Sequence, residues 1–310
     1  MDKPFKTIDE LICLMNARGI STSINTKGII EREGYYQIIN GYKPLFIDIK
    51  ATELAGEDRF VSGTTFDQIY SLFEFDRDLR MVLLKYLTVA ESLLKSITVY
   101  KISERYKDDD EPYLNRDIYC QELKKDRLVC NLIQDFKRKL GRLETDGYQN
   151  KGYLKHYLTK HSSVPFWVFV NCLSFGDIFK CYTLQKESMR SNIAKAFSLM
   201  FQSNWCVSQR INEKDLRIMY DHLKELRNAC AHDERVYFLK VSPAKDISLA
   251  HCLKDLTKLL NKEQVGQLKN QISGLLSKVK QDVPIIDYQK LLDAMGIDSF
   301  ETLFVQQTLR

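Results

Sequence analysis

The chain has 310 residues, 44% of them apolar and 28% charged, with only 13 glycines and 6 prolines. That is apolar material for one large domain or two ordinary ones, and it excludes a disordered, collagen-like or loop-rich all-β protein. The formal charge is +5, and residues 116–160 alone hold eleven Lys and Arg against six Asp and Glu, so the whole cationic surplus sits in that segment.

Residues 1–62 read as a small N-terminal lobe. It has two short helical patterns, 8–17 and 27–33, then an aromatic stretch from Gly34 to Phe46 and a loop about Gly56 and Gly63. Residues 63–310 read as one helical domain with a basic insertion near 112–200. From Phe66 to about Tyr106 there is no Gly or Pro, and Ile69, Leu72, Phe73, Leu79, Leu83, Leu87, Ala90, Leu94, Ile97 and Ile102 recur at helical spacing. This predicts a single spine helix, about 60 Å long at 1.5 Å per residue, against which other helices pack. The acidic run Asp108-Asp109-Asp110-Glu111 and Pro112 end it.

Further helices are predicted over 115–140, 151–160, 165–172, 177–184 and 187–200, with Gly141, Gly147, Gly152 and Gly176 as breaks. Asn212 is placed to cap a helix from Glu213 to about His232, with Asp215 in its first turn. Residues 236–241 alternate like a strand or an extended return before Pro243, and the remainder reads as two or three helices. With no recurring period, the pattern predicts an all-α, or nearly all-α, fold and disfavours a solenoid.

The longest apolar run, Val164 to Leu173, is about half the ~20 residues of a spanning helix, and the first residues lack the apolar core of a signal peptide. Both point to the cytoplasm, with no membrane partner. Eight cysteines, at 13, 120, 130, 172, 181, 206, 230 and 252, form no CxxC pair and are expected to be reduced core residues.

There is no phosphate-binding glycine loop, HExxH, GxSxG or EF-hand pattern. The histidines at 156, 161, 222, 232 and 251 do not make a metal set, so neither metal nor cofactor is expected. The basic residues Lys124, Lys125, Arg127, Lys137, Arg138, Lys139 and Arg142 are candidate phosphate contacts for RNA. On this pattern alone the favoured reading is a solvated helix end whose cations complement the macrodipole.

The informative stretch is Leu226-Arg227-Asn228-Ala229-Cys230-Ala231-His232 and its sequel to Val236. At 100° per residue, Leu216, Met219, Leu223, Leu226 and Cys230 form one apolar seam, Arg227 lies on its edge, and His232 projects almost opposite if the helix persists. Asn228 and His232 share a face. At a helix C-terminus the macrodipole favours an imidazolium, which makes His232 a proton carrier. It can take the proton of an RNA 2′-hydroxyl or give one to a leaving 5′-oxygen, while Arg227 meets charge building on phosphorus. The competing reading pairs Arg227 with Glu234 and leaves His232 as a cap, and Arg217 and His222 repeat the same spacing within the same helix.

Arg227-Asn228-Ala229-Cys230-Ala231-His232, followed by Arg235-Val236, resembles the RNxxxH signature of the HEPN ribonuclease superfamily. The form is that of the Abi-like family of bacterial phage-resistance proteins, the AbiD and AbiF group. Other segments resemble blocks of that family: Tyr35-Tyr36-Gln37-Ile38-Ile39-Asn40-Gly41-Tyr42 with Pro44 and Phe46, then Phe66-Asp67-Gln68-Ile69-Tyr70 and Phe75-Asp76-Arg77-Asp78-Leu79-Arg80. Pro165-Phe166-Trp167-Val168 and Leu173-Ser174-Phe175-Gly176 complete the set.

The resemblance implies a HEPN-type helical bundle, with the spine and the Arg227 helix side by side and two copies meeting at a composite site. Arg227 and His232 would then carry cleavage, Asn228 would orient the site, and Glu91 and Lys95 would support it. Lys95 stands where the family commonly has Arg, and a lysine makes no bidentate contact. The resemblance also implies a growth-arresting toxin of abortive infection, a homodimer, and an antitoxin partner that in some systems is a small structured RNA.

Three functions follow from these features: an endoribonuclease that needs no metal and cuts single-stranded RNA, a catalytically silent RNA-binding or protein-interaction module, and a helical adaptor without a nucleic-acid role.

Overall fold

Local signals set most of the helix boundaries. Thr7 opens α1 (Ile8–Ala17) with a capping box, its hydroxyl accepting the Glu10 amide while the Glu10 carboxylate accepts the Thr7 amide at 2.7 Å. Ser174 does the same with Asp177 at α8 (Phe175–Thr183), which is why that helix starts two residues before the predicted 177. The computed structural model describes residues 4–143, 152–242 and 247–305. The predicted break at Gly147, the helix start at 151 and Pro243 lie outside the described residues. Among the described residues the fold is all-α apart from one short antiparallel pair, β1 (Lys240–Ser242) with β2 (Ile247–Ser248).

The remaining helices in chain order are α2 (Thr26–Glu33), α3 (Ile49–Ala55), α4 (Phe66–Arg105), α5 (Asp126–Lys139), α6 (Gly152–Lys160), α7 (Phe166–Phe169), α9 (Glu187–Trp205) and α10 (Glu213–Ala231). After the strands follow α11 (Leu249–Thr257), α12 (Lys262–Asp282), α13 (Tyr288–Met295) and α14 (Phe300–Val305). The spine is α4, within a residue of its predicted end. Nine of its ten predicted apolar positions are buried, and Ile97 is half-buried.

The described residues form two compact units. The first takes the chain up to Lys85, Leu226–Leu253 and Val265–Val305; the second takes Tyr86–Glu225 and Lys254–Gln264.

In the first unit, Gly34–Phe46 folds as a π-helical turn (Tyr36–Asn40) and a 3-10 turn (Lys43–Leu45), which bury Ile38, Ile39, Tyr42 and Phe46. Arg77 of α4 grips Glu33 at the end of α2 with two hydrogen bonds, the shorter 2.6 Å. Arg77, and then Arg32, hold the Glu33 carboxyl well below its usual range, at about 2.

In the second unit, the predicted helix 115–140 is helical only from Asp126. Residues 112–125 instead make three 3-10 turns, because consecutive Ile118, Tyr119 and Cys120 are all buried and no single helical face presents three successive residues. Tyr113 stacks on Phe169 with centroids 4.6 Å apart, and Phe136 and Phe166 complete the cluster. The Tyr113 hydroxyl donates to the Val164 carbonyl at 2.7 Å. The Tyr220 hydroxyl of α10 donates to the Ala90 carbonyl of α4 at 2.9 Å. α9 runs five residues beyond its predicted end and stops where Cys206 turns left-handed (φ 56°).

Two other expectations need correction. Residues 236–239 are a turn and irregular backbone rather than a strand, with pairing only from Lys240. Of the cysteines, 120, 181, 230 and 252 are buried, 172 is half-buried, and 13, 130 and 206 are exposed; their positions on irregular segments and outward helix faces were not visible from apolar spacing. Among the described residues no helix is long and apolar enough to cross a membrane.

Candidate functional site

Helix α10 begins as its sequence predicts. The Asn212 side-chain oxygen accepts the Asp215 amide at 2.9 Å, and its amide group donates to the Asp215 carboxylate at 2.7 Å. The predicted seam is buried throughout, from Leu216 to Cys230. Burial pushes the Cys230 thiol up to about 12, so this cysteine inside the motif is an inert packing group.

The helix ends at Ala231, one residue before its predicted end. The His232 amide donates to the Asn228 carbonyl at 2.9 Å, Asp233 takes the left-handed conformation (φ 58°), and the Glu234 amide reaches back to the Ala229 carbonyl at 3.0 Å. This is a Schellman-type stop, with Asp in the place usually held by glycine because its short polar side chain tolerates that backbone. His232 therefore caps the helix and is exposed, while Arg227 and Asn228 one turn earlier are half-buried. Among the described residues the side chains of Arg227, Asn228 and His232 have no hydrogen-bond or ion-pair partner. The Arg227–Glu234 pairing that would have neutralised the motif is not made.

What fixes this turn is a buried pair on α4. Asp76 is fully buried, and its carboxylate accepts the Arg80 guanidinium at 2.9 Å, the Tyr42 hydroxyl at 2.8 Å, and the amides of Val236 and Tyr237 at 3.2 and 2.7 Å. Burial pushes the Asp76 carboxyl above its ordinary range against the pull of these donors. Arg80, itself 3% exposed, also donates to the Glu234 carbonyl at 3.2 Å and pairs with the Asp233 carboxylate. Arg235 donates to the Gly41 carbonyl at 2.9 Å, so the chain leaving the motif is tied both to α4 and to the aromatic block. In the sequence Asp76 and Arg80 stand only within a block that resembles the family. The usable signal was an acid and a base four apart, flanked by the core positions Phe75 and Leu79.

His222, the competing histidine, is half-buried, and its Nδ1 lies 2.9 Å from the Asp255 carboxylate, which Lys258 shares. Its partner in spacing, Arg217, faces a cavity of about 480 Å³ together with Lys125, Arg190 and Lys214. Sequence reasoning missed Arg190 and Lys214, because α9 and α10 bring them, together with Arg217, to Lys125 only in the fold. Glu91 and Lys95 pair with each other at 2.7 Å in the second unit.

The predicted RNA contacts divide. Lys124, Arg127 and Lys137 are exposed without partners among the described residues. The other four are paired: Lys125 with Glu122, Arg138 with Asp135, Lys139 with Asp177 at 3.1 Å, and Arg142 with Glu111 through two bonds of 2.6 Å. Burial alone would raise the Asp177 carboxyl, but the Ser174 amide and hydroxyl and the Lys139 ammonium outweigh it and leave it lowered. Among the described residues no three His, Cys, Asp or Glu side chains group as metal ligands would.

No curated protein and no solved structure matches the chain. Residues 28–238 match the family described as Abi-like protein, a span that contains Tyr42, Asp76 and Arg80 as well as Arg227 through Tyr237. The match covers well over half of the chain, which belongs to the Abi-like protein family.

Proposed function

We propose that this protein is an endoribonuclease of abortive infection that cuts single-stranded RNA at a HEPN-type site completed by a second copy of the chain. The observation that carries this reading is the end of α10: a half-buried arginine without a counter-ion and an exposed histidine, on a turn held rigid by Asp76 and Arg80. An uncompensated, partly desolvated guanidinium is costly unless an anion visits it, and a phosphate is such an anion.

In the cleavage step His232 takes the proton of a 2′-hydroxyl, and the freed oxygen attacks the adjacent phosphorus. Arg227 meets the charge on the non-bridging oxygens, and Asn228 orients the phosphate. The bond from phosphorus to the 5′-oxygen breaks, and that oxygen receives a proton from the imidazolium of the second copy. The nucleophile belongs to the substrate, so the chemistry calls for no metal-bound water. One chain supplies one such histidine, which is why two copies related by a twofold axis make the complete site.

Membership of the Abi-like family supports a role in phage defence as a growth-arresting toxin held in check by an antitoxin, whether RNA or protein. The cavity lined by Lys125, Arg190, Lys214 and Arg217, with Glu213 and Asp221 among them, offers cations to further phosphates. End chemistry tests the mechanism. Products from a labelled RNA should carry a 2′,3′-cyclic phosphate and a 5′-hydroxyl; a 5′-phosphate product would contradict it.

A further inference from the structure

The segment Pro165–Cys172 holds two buried aromatic residues and one exposed one. Phe166 and Phe169 are fully buried in the Tyr113 cluster, whereas Trp167 between them is 59% exposed. Packing therefore does not account for the tryptophan. Its indole borders a cleft of about 500 Å³, within the ~300–1,000 Å³ typical of small-ligand sites, whose other wall is α4 with Lys95, Ser96, Tyr100 and Ser103. Tyr100 is 62% exposed, and the Lys101 ammonium sits 5.1 Å from its ring centroid. The Ser103 hydroxyl oxygen is buried with no partner among the described residues.

Two exposed aromatic faces, serine hydroxyls and a lysine make a particular chemical combination. An apolar side chain of a protein partner would cover the rings but strand the exposed Ser96 hydroxyl out of water and leave the buried Ser103 oxygen still unpartnered, both of which cost free energy. A nucleobase brings a flat π-face for the rings and donors and acceptors on its edge for the hydroxyls. It offers that face only when unpaired, so the matching ligand is single-stranded.

We infer that the cleft between α4 and Pro165–Cys172 is a nucleobase-binding site in which Trp167 is the stacking platform, Tyr100 the second aromatic wall, and Ser103 a contact to the base edge. This deepens the ribonuclease reading and rests on it for the choice of RNA. The cleft lies in the second unit and takes no part in the cleavage step.

Trp167 and Trp205 are the only tryptophans of the chain, and Trp205 is buried with its indole N–H on the Leu260 carbonyl. Tryptophan emission therefore reports on the cleft. The full-length His232→Ala protein, in which the probe stays intact, is titrated with short oligouridylate and oligoadenylate while binding is followed independently by anisotropy. Emission should fall on binding. Adding Trp167→Ala should abolish that change and weaken binding about tenfold. Because the residue is exposed, the variant keeps its fold, which the remaining Trp205 emission verifies. In a protein that retains His232, Trp167→Ala should raise KM and leave kcat unchanged.

RNA binding without an emission change, or an unaltered affinity in Trp167→Ala, overturns the site. Loss of self-association in Trp167→Ala at unchanged RNA affinity also overturns it and marks a protein interface. No RNA binding at all removes both readings. Binding with quenching but no cleavage under any condition removes the ribonuclease reading and leaves the base site standing.

Discussion

Asp76 carries a carboxylate into a helix face that is otherwise core, and the structure meets it with four donors from Tyr42, Arg80, Val236 and Tyr237. Two of these are backbone amides just beyond the His232 turn, so the acid holds the far end of the motif in place. Asp76→Ala would leave the Tyr42 hydroxyl and two amides without an acceptor in the interior and reduce the Arg80 guanidinium to its contacts with Asp233 and the Glu234 carbonyl; removing one partner of a buried charged pair costs about 3 kcal/mol. Denaturant unfolding should show that loss, with Asp76→Asn losing less because its carbonyl still accepts one amide. At this scale the sequence told part of the story. Arg227, Asn228 and His232 were legible as a polar group at the end of a packed helix. His232 as a cap was one of two readings the sequence left open; the left-handed Asp233 that ends the helix, and the Arg80 contacts that hold it from a distant point of the chain, were not legible.

The helices most legible in advance were those whose caps and apolar seams agree, above all α4 and α10. The segment 112–125 was not, because its buried residues are adjacent rather than spaced and its turns are fixed by Tyr113 and Tyr119 packing, which no local pattern encodes. The link between α2 and α4 was equally invisible, since Glu33 and Arg77 lie far apart in sequence. It has a pH signature. Glu33 is depressed from 4.5 to about 2 in the folded chain. A carboxyl lowered by folding contributes stability that is complete above its unfolded value and is lost as pH falls through 4.5 towards 2. Arg77 is partly exposed, so the contribution is about 1 kcal/mol. Glu33→Gln should lower stability by that amount at neutral pH and flatten its dependence across that acid interval, as read from unfolding at a series of pH values.

Across the whole molecule the sequence located the cationic surplus but not its use. Four of the seven basic residues singled out between 124 and 142 are engaged in ion pairs within the fold. Charge counting cannot distinguish a lysine that faces an acid from one that faces water: Glu122 and Asp135 lie only three residues from their partners, while Asp177 and Glu111 come from other parts of the fold. The proposed reaction needs two copies of the α10 terminus, and sedimentation should find a dimer at micromolar concentration or in the presence of RNA. A monomer under both conditions would contradict the composite site.

In the proposed reaction His232, and not the equally spaced His222, moves the protons. The measurement that tests it most directly is cleavage of a labelled unstructured RNA in EDTA by wild type, His232→Ala and His222→Ala side by side. Wild type and His222→Ala, whose lost contact to Asp255 is structural, should cut, and His232→Ala should lose ~10²-fold or more. Cleavage by His232→Ala at the wild-type rate would contradict it.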